Sequence, residues 1–276
     1  MSDMLPELLE HQAAGEIATI YQEIRHFSGV PYVSSLQRYV ATLPGALEWA
    51  WAAVRPAMVA GVIPETGWRL SRDVRIAPAP KVSAAALRLW NVDAAGLAAI
   101  RNVAENFVRV SPVNLMTGAC LRLLLEGAQP KGPGFTERWT PPPALAPMPG
   151  NVDPQALAAD ARAVLMQLGT EIDGKPFIPA LYRQLAHWPQ FLAWLATELG
   201  PRFAASETAA ARADFRRQAL AAAPQIVERL PGLPSQPVPD AETSRRIIAA
   251  VDRYAGTSPE MTMFGRLILE ALPETM

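Results

Sequence analysis

The chain repeats itself. The segment Gly29-Val30-Pro31-Tyr32-Val33 recurs as Gly174-Lys175-Pro176-Phe177-Ile178. At that offset of 145, without a gap, Leu36 meets Leu181, Arg38 meets Arg183, Ala41 meets Ala186, Pro44 meets Pro189, Trp49 meets Trp194 and Pro56 meets Pro201. A second block repeats at an offset of 147: Asp93 meets Asp240, Ile100 meets Ile247, Phe107 meets Tyr254, Ser111-Pro112 meets Ser258-Pro259, Met116 meets Met263 and Gly118 meets Gly265. Two blocks in the same order at nearly the same offset point to a duplicated unit. Two like units on one chain pack as a homodimer does, about a pseudo-twofold axis. A pocket is expected where they meet, with matched positions facing each other across it.

Between the copies, Pro130 to Pro154 holds eight prolines, including Pro141-Pro142-Pro143. That segment cannot form a regular helix and is read as an extended connector. The expected organisation is a first helical repeat at 1–129, the Pro-rich linker at 130–154 and a second helical repeat at 155–276. Elsewhere the pattern is helical, so the fold class expected is all-α. Asp93 can cap a helix whose apolar stripe is Leu97, Ile100, Ala104 and Phe107. Ser111 before Pro112 reads as a second cap, starting another helix that runs to about Glu126, and Asp240 and Ser258-Pro259 repeat this grammar. Pro31, Pro44, Pro176 and Pro189 are expected to break or start helices. Only residues such as Val82 sit in strand-like contexts, with no alternation of period two.

Half of the residues are apolar, enough for a sizeable core, and 25 Lys+Arg balance 26 Asp+Glu. Neither a nucleic-acid partner nor a membrane partner is expected from a net charge of −1. One cysteine, Cys120, and three histidines argue against a disulfide framework and a zinc site. No apolar run reaches the roughly 18–20 residues of a membrane span. The acidic opening MSDMLPELLE lacks an apolar signal core, so a cytoplasmic location is expected.

Several runs carry a family resemblance: Gly15-Glu16-Ile17, Tyr21-Gln22-Glu23-Ile24-Arg25, Val30-Pro31-Tyr32-Val33, Arg38-Tyr39-Val40-Ala41-Thr42-Leu43-Pro44-Gly45, Pro130-Lys131-Gly132 and Leu185-Ala186-His187-Trp188-Pro189. Together they resemble the group I DL-2-haloacid dehalogenases over nearly the whole chain. The resemblance implies an all-α pseudo-dimer with a buried site between the halves, no metal and no organic cofactor. It also implies displacement of halide from carbon 2 of a short 2-haloacid by a water that an aspartate and an asparagine activate. The family's aspartate position, seven residues before the Trp of Trp-Pro, holds Leu181 here, and the asparagine position before proline holds Ser111. Leucine cannot accept a proton, and serine is a poor base. Leu36, the twin of Leu181, offers no base either.

The pocket-lining candidates are Tyr32, Ser35, Ser111, Asn114, Phe177 and Leu181. Ser111 reads otherwise as an ordinary helix cap, and Tyr32 and Phe177 as core packing. The nearest spare carboxylates are Glu105 and Asp252, whose bland reading is surface pairing. Arg38 and Arg183 are read as structural ties or as carboxylate ligands, His187 as a surface or cap residue, and Cys120 as a buried apolar residue rather than a nucleophile. Three functions follow. The first is a metal-independent enzyme displacing a leaving group from a small carboxylic acid or derivative, with the nucleophile carried on the substrate so that a ring closes. The second is a hydrolytic 2-haloacid dehalogenase with a substitute base. The third is a non-catalytic binding or partner-stabilising protein with a closed core. A homo-oligomer or a partner protein stays open.

Overall fold

A computed structural model describes residues 5–172 and 175–276. Among these are eleven α-helices and one small hairpin. The first half contributes α1 (Gly15–Ser28), α2 (Ser35–Val40), α3 (Ala46–Val59), α4 (Val62–Asp73), α5 (Ala84–Leu89) and the long α6 (Ala94–Leu125). The second half contributes α7 (Ala159–Gln167), strands β1 (Thr170–Ile172) and β2 (Lys175–Phe177), α8 (Ala180–Leu185), α9 (Pro189–Phe203), α10 (Ser206–Arg229) and the long α11 (Ala241–Ala271).

The caps expected at the two long helices are present. Asp93 accepts from the Gly96 N–H at 2.7 Å, and Asp240 accepts from the Thr243 N–H at 2.7 Å. The second pair of starts is not. Ser111-Pro112 and Ser258-Pro259 lie inside α6 and α11, and neither serine is a cap. Each proline costs its helix a backbone hydrogen bond. Burial of both prolines among neighbouring helices keeps the two helices continuous. Pro189 does open α9, whereas Pro176 sits in β2 and Gly174 lies outside the described residues. The hairpin departs from the helix-only reading. β1 and β2 pair antiparallel, with Thr170 opposite Phe177, and three residues per strand are too few to show alternation. Val82 lies outside any strand, and its N–H donates to the Ala271 carbonyl at 2.8 Å.

α6 and α11 form the spine. A Cβ on Gly118 would meet Val251 at 3.1 Å, and one on Gly265 would meet Val108 at 2.9 Å and the Ala104 carbonyl at 3.2 Å. Glycine at both crossings lets the backbones approach closely. The antiparallel register set by these two contacts brings Ser111 opposite Ser258, midway along the pair. Among the described residues α6 is the one single helix long and apolar enough to cross a membrane, and α3 with α4 passes the same test only as a pair bent by 72°; the apolar stretch of α6 is two-thirds buried inside the protein.

The spine threads two separate cores. One gathers α1 to α4, the C-terminal half of α6 (Val113 to Leu124), α10 and the start of α11 (Ile247 to Val251). The other gathers the N-terminal half of α6 (Leu97 to Phe107), α7, α8, α9 and the end of α11 (Met261 to Leu272). Each core therefore takes helices from both sides of the linker. A helix of 32 residues, at about 1.5 Å per residue, reaches through both.

The Pro-rich segment runs without helix or strand as far as a short 3-10 turn at Pro154–Ala156. It is tied down along its length. Trp139 Nε1 donates to Glu65 at 3.1 Å, Arg109 donates to the Pro143 carbonyl at 2.8 Å, and Asn102 donates to the carbonyls of Ala146 and Pro147 at 3.0 and 2.9 Å. The Val152 N–H then donates to the Arg183 carbonyl at 3.2 Å. The segment is thus laid from the first half onto α8.

Candidate functional site

Beside the midpoint of the α6–α11 pair lies a cavity of about 500 Å³. α6 contributes Phe107, Val110, Ser111 and Asn114, and α11 contributes Tyr254, Thr257, Ser258 and Met261. The two sets are related position by position by the sequence offset of 147. The first block contributes Tyr32, Ser35 and Arg38 on one side and Phe177, Ala180 and Arg183 on the other. The N-terminal segment (Leu5, Glu7, Leu9) and the linker (147–151) close the remaining sides.

The wall is cationic. Arg38, Arg183 and Arg253 line it, and Glu7 is the one carboxylate among the described lining residues. Arg38 Nε donates to Glu7 at 2.7 Å and its Nη2 donates to the Ser35 hydroxyl at 3.2 Å. Arg183 donates to the Val152 carbonyl at 3.3 Å. Burial holds the Arg183 guanidinium below its ordinary pKa, against the opposing pull of Asp153 and Glu7. Arg253 lies over the Phe177 ring, 5.5 Å from its centre. Burial raises the Tyr254 phenol to about 12, helped by Glu7 and opposed by its hydrogen bond with Ser35. Burial likewise drives the Tyr32 phenol up.

The polar groups fall into two sets. Gln37 donates to Asn114 Oδ1 at 3.0 Å and is hydrogen-bonded with Ser34, which fixes the Asn114 amide. The Ser258 hydroxyl donates to its own helix at the Tyr254 carbonyl, 2.9 Å away. By contrast, Tyr32 Oη and Gln184 Oε1 are buried without a hydrogen-bond partner among the described residues. Ser111 makes no hydrogen bond through its hydroxyl among the described residues.

Of the residues singled out from sequence, Tyr32, Ser35, Ser111, Asn114 and Phe177 come together on this wall. Leu181 does not. Its side chain is fully buried in the second core. On α8 the cavity is met by Ala180, Arg183 and Gln184, spaced i, i+3 and i+4 on one face, and Leu181 is turned about 100° away. Glu105 lies elsewhere, on the wall of a separate cavity. Asp252 is paired on the surface with Arg122 and, at 3.5 Å, with Arg216. His187 is exposed, with a ring nitrogen 2.9 Å from the Gly150 carbonyl. Cys120 is buried in the first core, and burial pushes its thiol up to about 12.

Sequence reasoning passed over Tyr254, Arg253, Gln184 and Glu7. Tyr254 was within reach, as the repeat partner of Phe107. Glu7 precedes both repeated blocks, so the repeat carries no trace of it.

No family profile matches the chain, and no curated relative matches it. Solved structures do. One is a D-2-haloacid dehalogenase mutant, 20% identical, with a TM-score of 0.72 and 98% of each chain covered. Another is a D-2-haloacid dehalogenase mutant in complex with D-2-CPA, at 19% identity and 0.71, covering 98% of this chain and 97% of that one. A third is a D-2-haloacid dehalogenase in complex with L-LA, at 20% identity and 0.72, with coverage of 98% and 97%. The chain shares their fold. That fold is all-α but for the hairpin and extends over nearly the full length of each.

Proposed function

We propose that the chain is a cofactor-independent enzyme that displaces a leaving group from the carbon beside a carboxylate, in the cavity beside the α6–α11 midpoint. The observation that carries this reading is the wall itself: among the described lining residues, Arg38, Arg183 and Arg253 stand with one carboxylate, Glu7, which is ion-paired with Arg38, in a partly enclosed space with aromatic sides. Such a wall attracts a small carboxylate and holds its neighbouring carbon in a fixed pose. Likeness in fold to enzymes solved with D-2-CPA and L-LA supports the same substrate class.

The duplication belongs to this reading, with repeats at 1–129 and 155–276 and the linker at 130–154 between them. Element positions support it. α2 and α8 are offset by the 145 of the first block, and the starts of α6 and α11 by the 147 of the second. Gly118 and Gly265, one repeat apart, make the two spine crossings. The site would then straddle a pseudo-twofold axis near Ser111 and Ser258, with matched residues given unlike tasks.

In the displacement, a nucleophile's lone pair forms the new bond to carbon 2 as the carbon–halogen bond breaks. Halide leaves with the bonding pair, and the nucleophile's proton passes to a base or to solvent. We favour a nucleophile carried on the substrate, closing a small ring. Ala180, the residue of α8 that meets the cavity near the family's aspartate position, cannot activate water any more than Leu181 can. Hydrolysis is the second reading. Glu105 and Asp252 lie off this wall, so Glu7 is the carboxylate that would take the proton from water. A non-catalytic binding or partner-stabilising protein is the third reading, and the cavity speaks only against its closed-core form.

The experiment is halide release from D- and L-2-chloropropionate, and separately from 3-amino-2-chloropropanoate, with products identified. Chloride and aziridine-2-carboxylate from the amino acid, with no lactate from chloropropionate, support ring closure. Lactate supports hydrolysis, and Glu7→Gln then abolishes it if Glu7 is the base. No chloride from any of the three substrates overturns the displacement reading.

A further inference from the structure

A second and larger cavity, about 740 Å³, lies on another face of the same two long helices. Its walls are the end of α4, the extended residues 74–78, Pro142 of the linker, α6 at Glu105, Val108 and Arg109, and α11 from Met263 to Glu270. It shares no lining residue with the central cavity.

Four arginines meet there, Arg72, Arg75, Arg109 and Arg266, against two carboxylates, Glu105 and Glu270. Among the described residues, none of the four is within ion-pair distance of a carboxylate. Three of them, Arg75, Arg109 and Arg266, are bound by neutral carbonyls. Arg266 donates to Ser71 at 2.5 Å and to Val74 at 3.1 Å. Arg109 donates to Gly29 at 3.0 Å and to Pro143 at 2.8 Å. Arg75 turns back on the Val74 carbonyl at 3.0 Å. Burial holds Arg266 and Arg109 below the ordinary arginine pKa, and like-charge repulsion from Arg75 pushes Arg266 down further, with Glu270 and Glu105 opposing. A partly buried guanidinium bound only by carbonyls keeps its whole charge, and a second one beside it raises the cost. An anion relieves both. The floor is apolar, formed by Val108, Met263 and Leu267, with Ile76 and Trp68 at the sides. The space is of the size that organic ligands fill, far more than an inorganic anion occupies.

We propose that this second cavity binds an organic anion, with a carboxylate or phosphate head among the four arginines and an aromatic or branched apolar body over Val108, Met263 and Leu267. This inference does not depend on the reaction assigned to the central cavity.

The test is isothermal titration calorimetry of the full chain with phenyl phosphate, with phenylacetate, and with inorganic phosphate as a head without a body. Saturable one-to-one binding of at least one aromatic anion, tighter than inorganic phosphate, is expected, and the preferred anion identifies the head. The double variant Arg72→Ala, Arg75→Ala removes two exposed side chains and should weaken binding by about tenfold or more. Ile76→Trp, which narrows the cavity from its side and lies off the α6–α11 crossing, should weaken it as well, and thermal melts report that each variant is folded. Arg183→Gln in the central cavity should leave binding intact. The proposal is overturned if neither aromatic anion saturates, if the arginine double variant binds as tightly as the parent, or if Arg183→Gln loses the ligand.

Discussion

Gly67 of α4 is where a single methyl group should do most damage to the architecture behind the central cavity. A Cβ there would sit 2.7 Å from the Pro112 carbonyl oxygen, 2.9 Å from its carbon and 3.2 Å from the Val113 nitrogen. These are backbone atoms of α6, at the turn that follows Ser111, and they cannot swing aside as a side chain can. On helix propensity alone, alanine is better than glycine by about 1 kcal/mol. Overpacking a close contact costs about 1–3 kcal/mol, and a backbone wall puts this case at the upper end. The balance for Gly67→Ala is a net loss of about 2 kcal/mol. Gly256 is the internal control: it lies in α11, exposed, with nothing within 4 Å of a built Cβ. Gly256→Ala should gain about 1 kcal/mol. Urea unfolding of the two variants beside the parent reads both values, and calorimetry with 2-chloropropionate reads whether Ser111 and Asn114 have shifted. If Gly67→Ala proves as stable as Gly256→Ala, the close approach of α4 to α6 is wrong.

Arg183→Gln should raise the KM for a carboxylate substrate by roughly tenfold or more, because it removes a guanidinium held in place by Val152; an unchanged KM in steady-state kinetics would remove Arg183 from the binding wall. Glu260 is buried, accepts from Tyr182 at 3.1 Å and from Arg212 at 3.2 Å, and burial raises its carboxyl above 4.5 despite both partners. A raised folded-state pKa means that its stabilising contribution is present below the unfolded value and is lost as pH rises through the folded one. Glu260→Gln should therefore flatten the dependence of unfolding free energy on pH just above 4.5, and an identical pH profile would contradict this. The Cys120 thiol, buried and raised to about 12, should resist a thiol reagent at pH 8 in the native protein and react once urea is added. Stoichiometric labelling of the native chain would place it at the surface.

Much of this molecule is written in the order of its residues. The helical content, the Asp93 and Asp240 caps and the extended course of residues 130–153 follow from local chemistry, in which side-chain oxygens satisfy free N–H groups and proline forbids regular helix. Five pocket residues, Tyr32, Ser35, Ser111, Asn114 and Phe177, were also legible, from a repeat and a resemblance rather than from geometry. Three things were not. Ser111-Pro112 reads locally as a helix start, yet α6 runs through it, because packing on all sides outweighs one missing hydrogen bond. Leu181 stands where the sequence resemblance would put an aspartate, yet the 100° step of a helix turns it into the core and gives the cavity to Ala180, Arg183 and Gln184. The linker divides the sequence into two parts but does not divide the cores, each of which takes helices from both sides of it. α6 and α11 are long enough to serve both, and only their antiparallel register, set by Gly118 and Gly265, decides which residues of the two halves share one cavity.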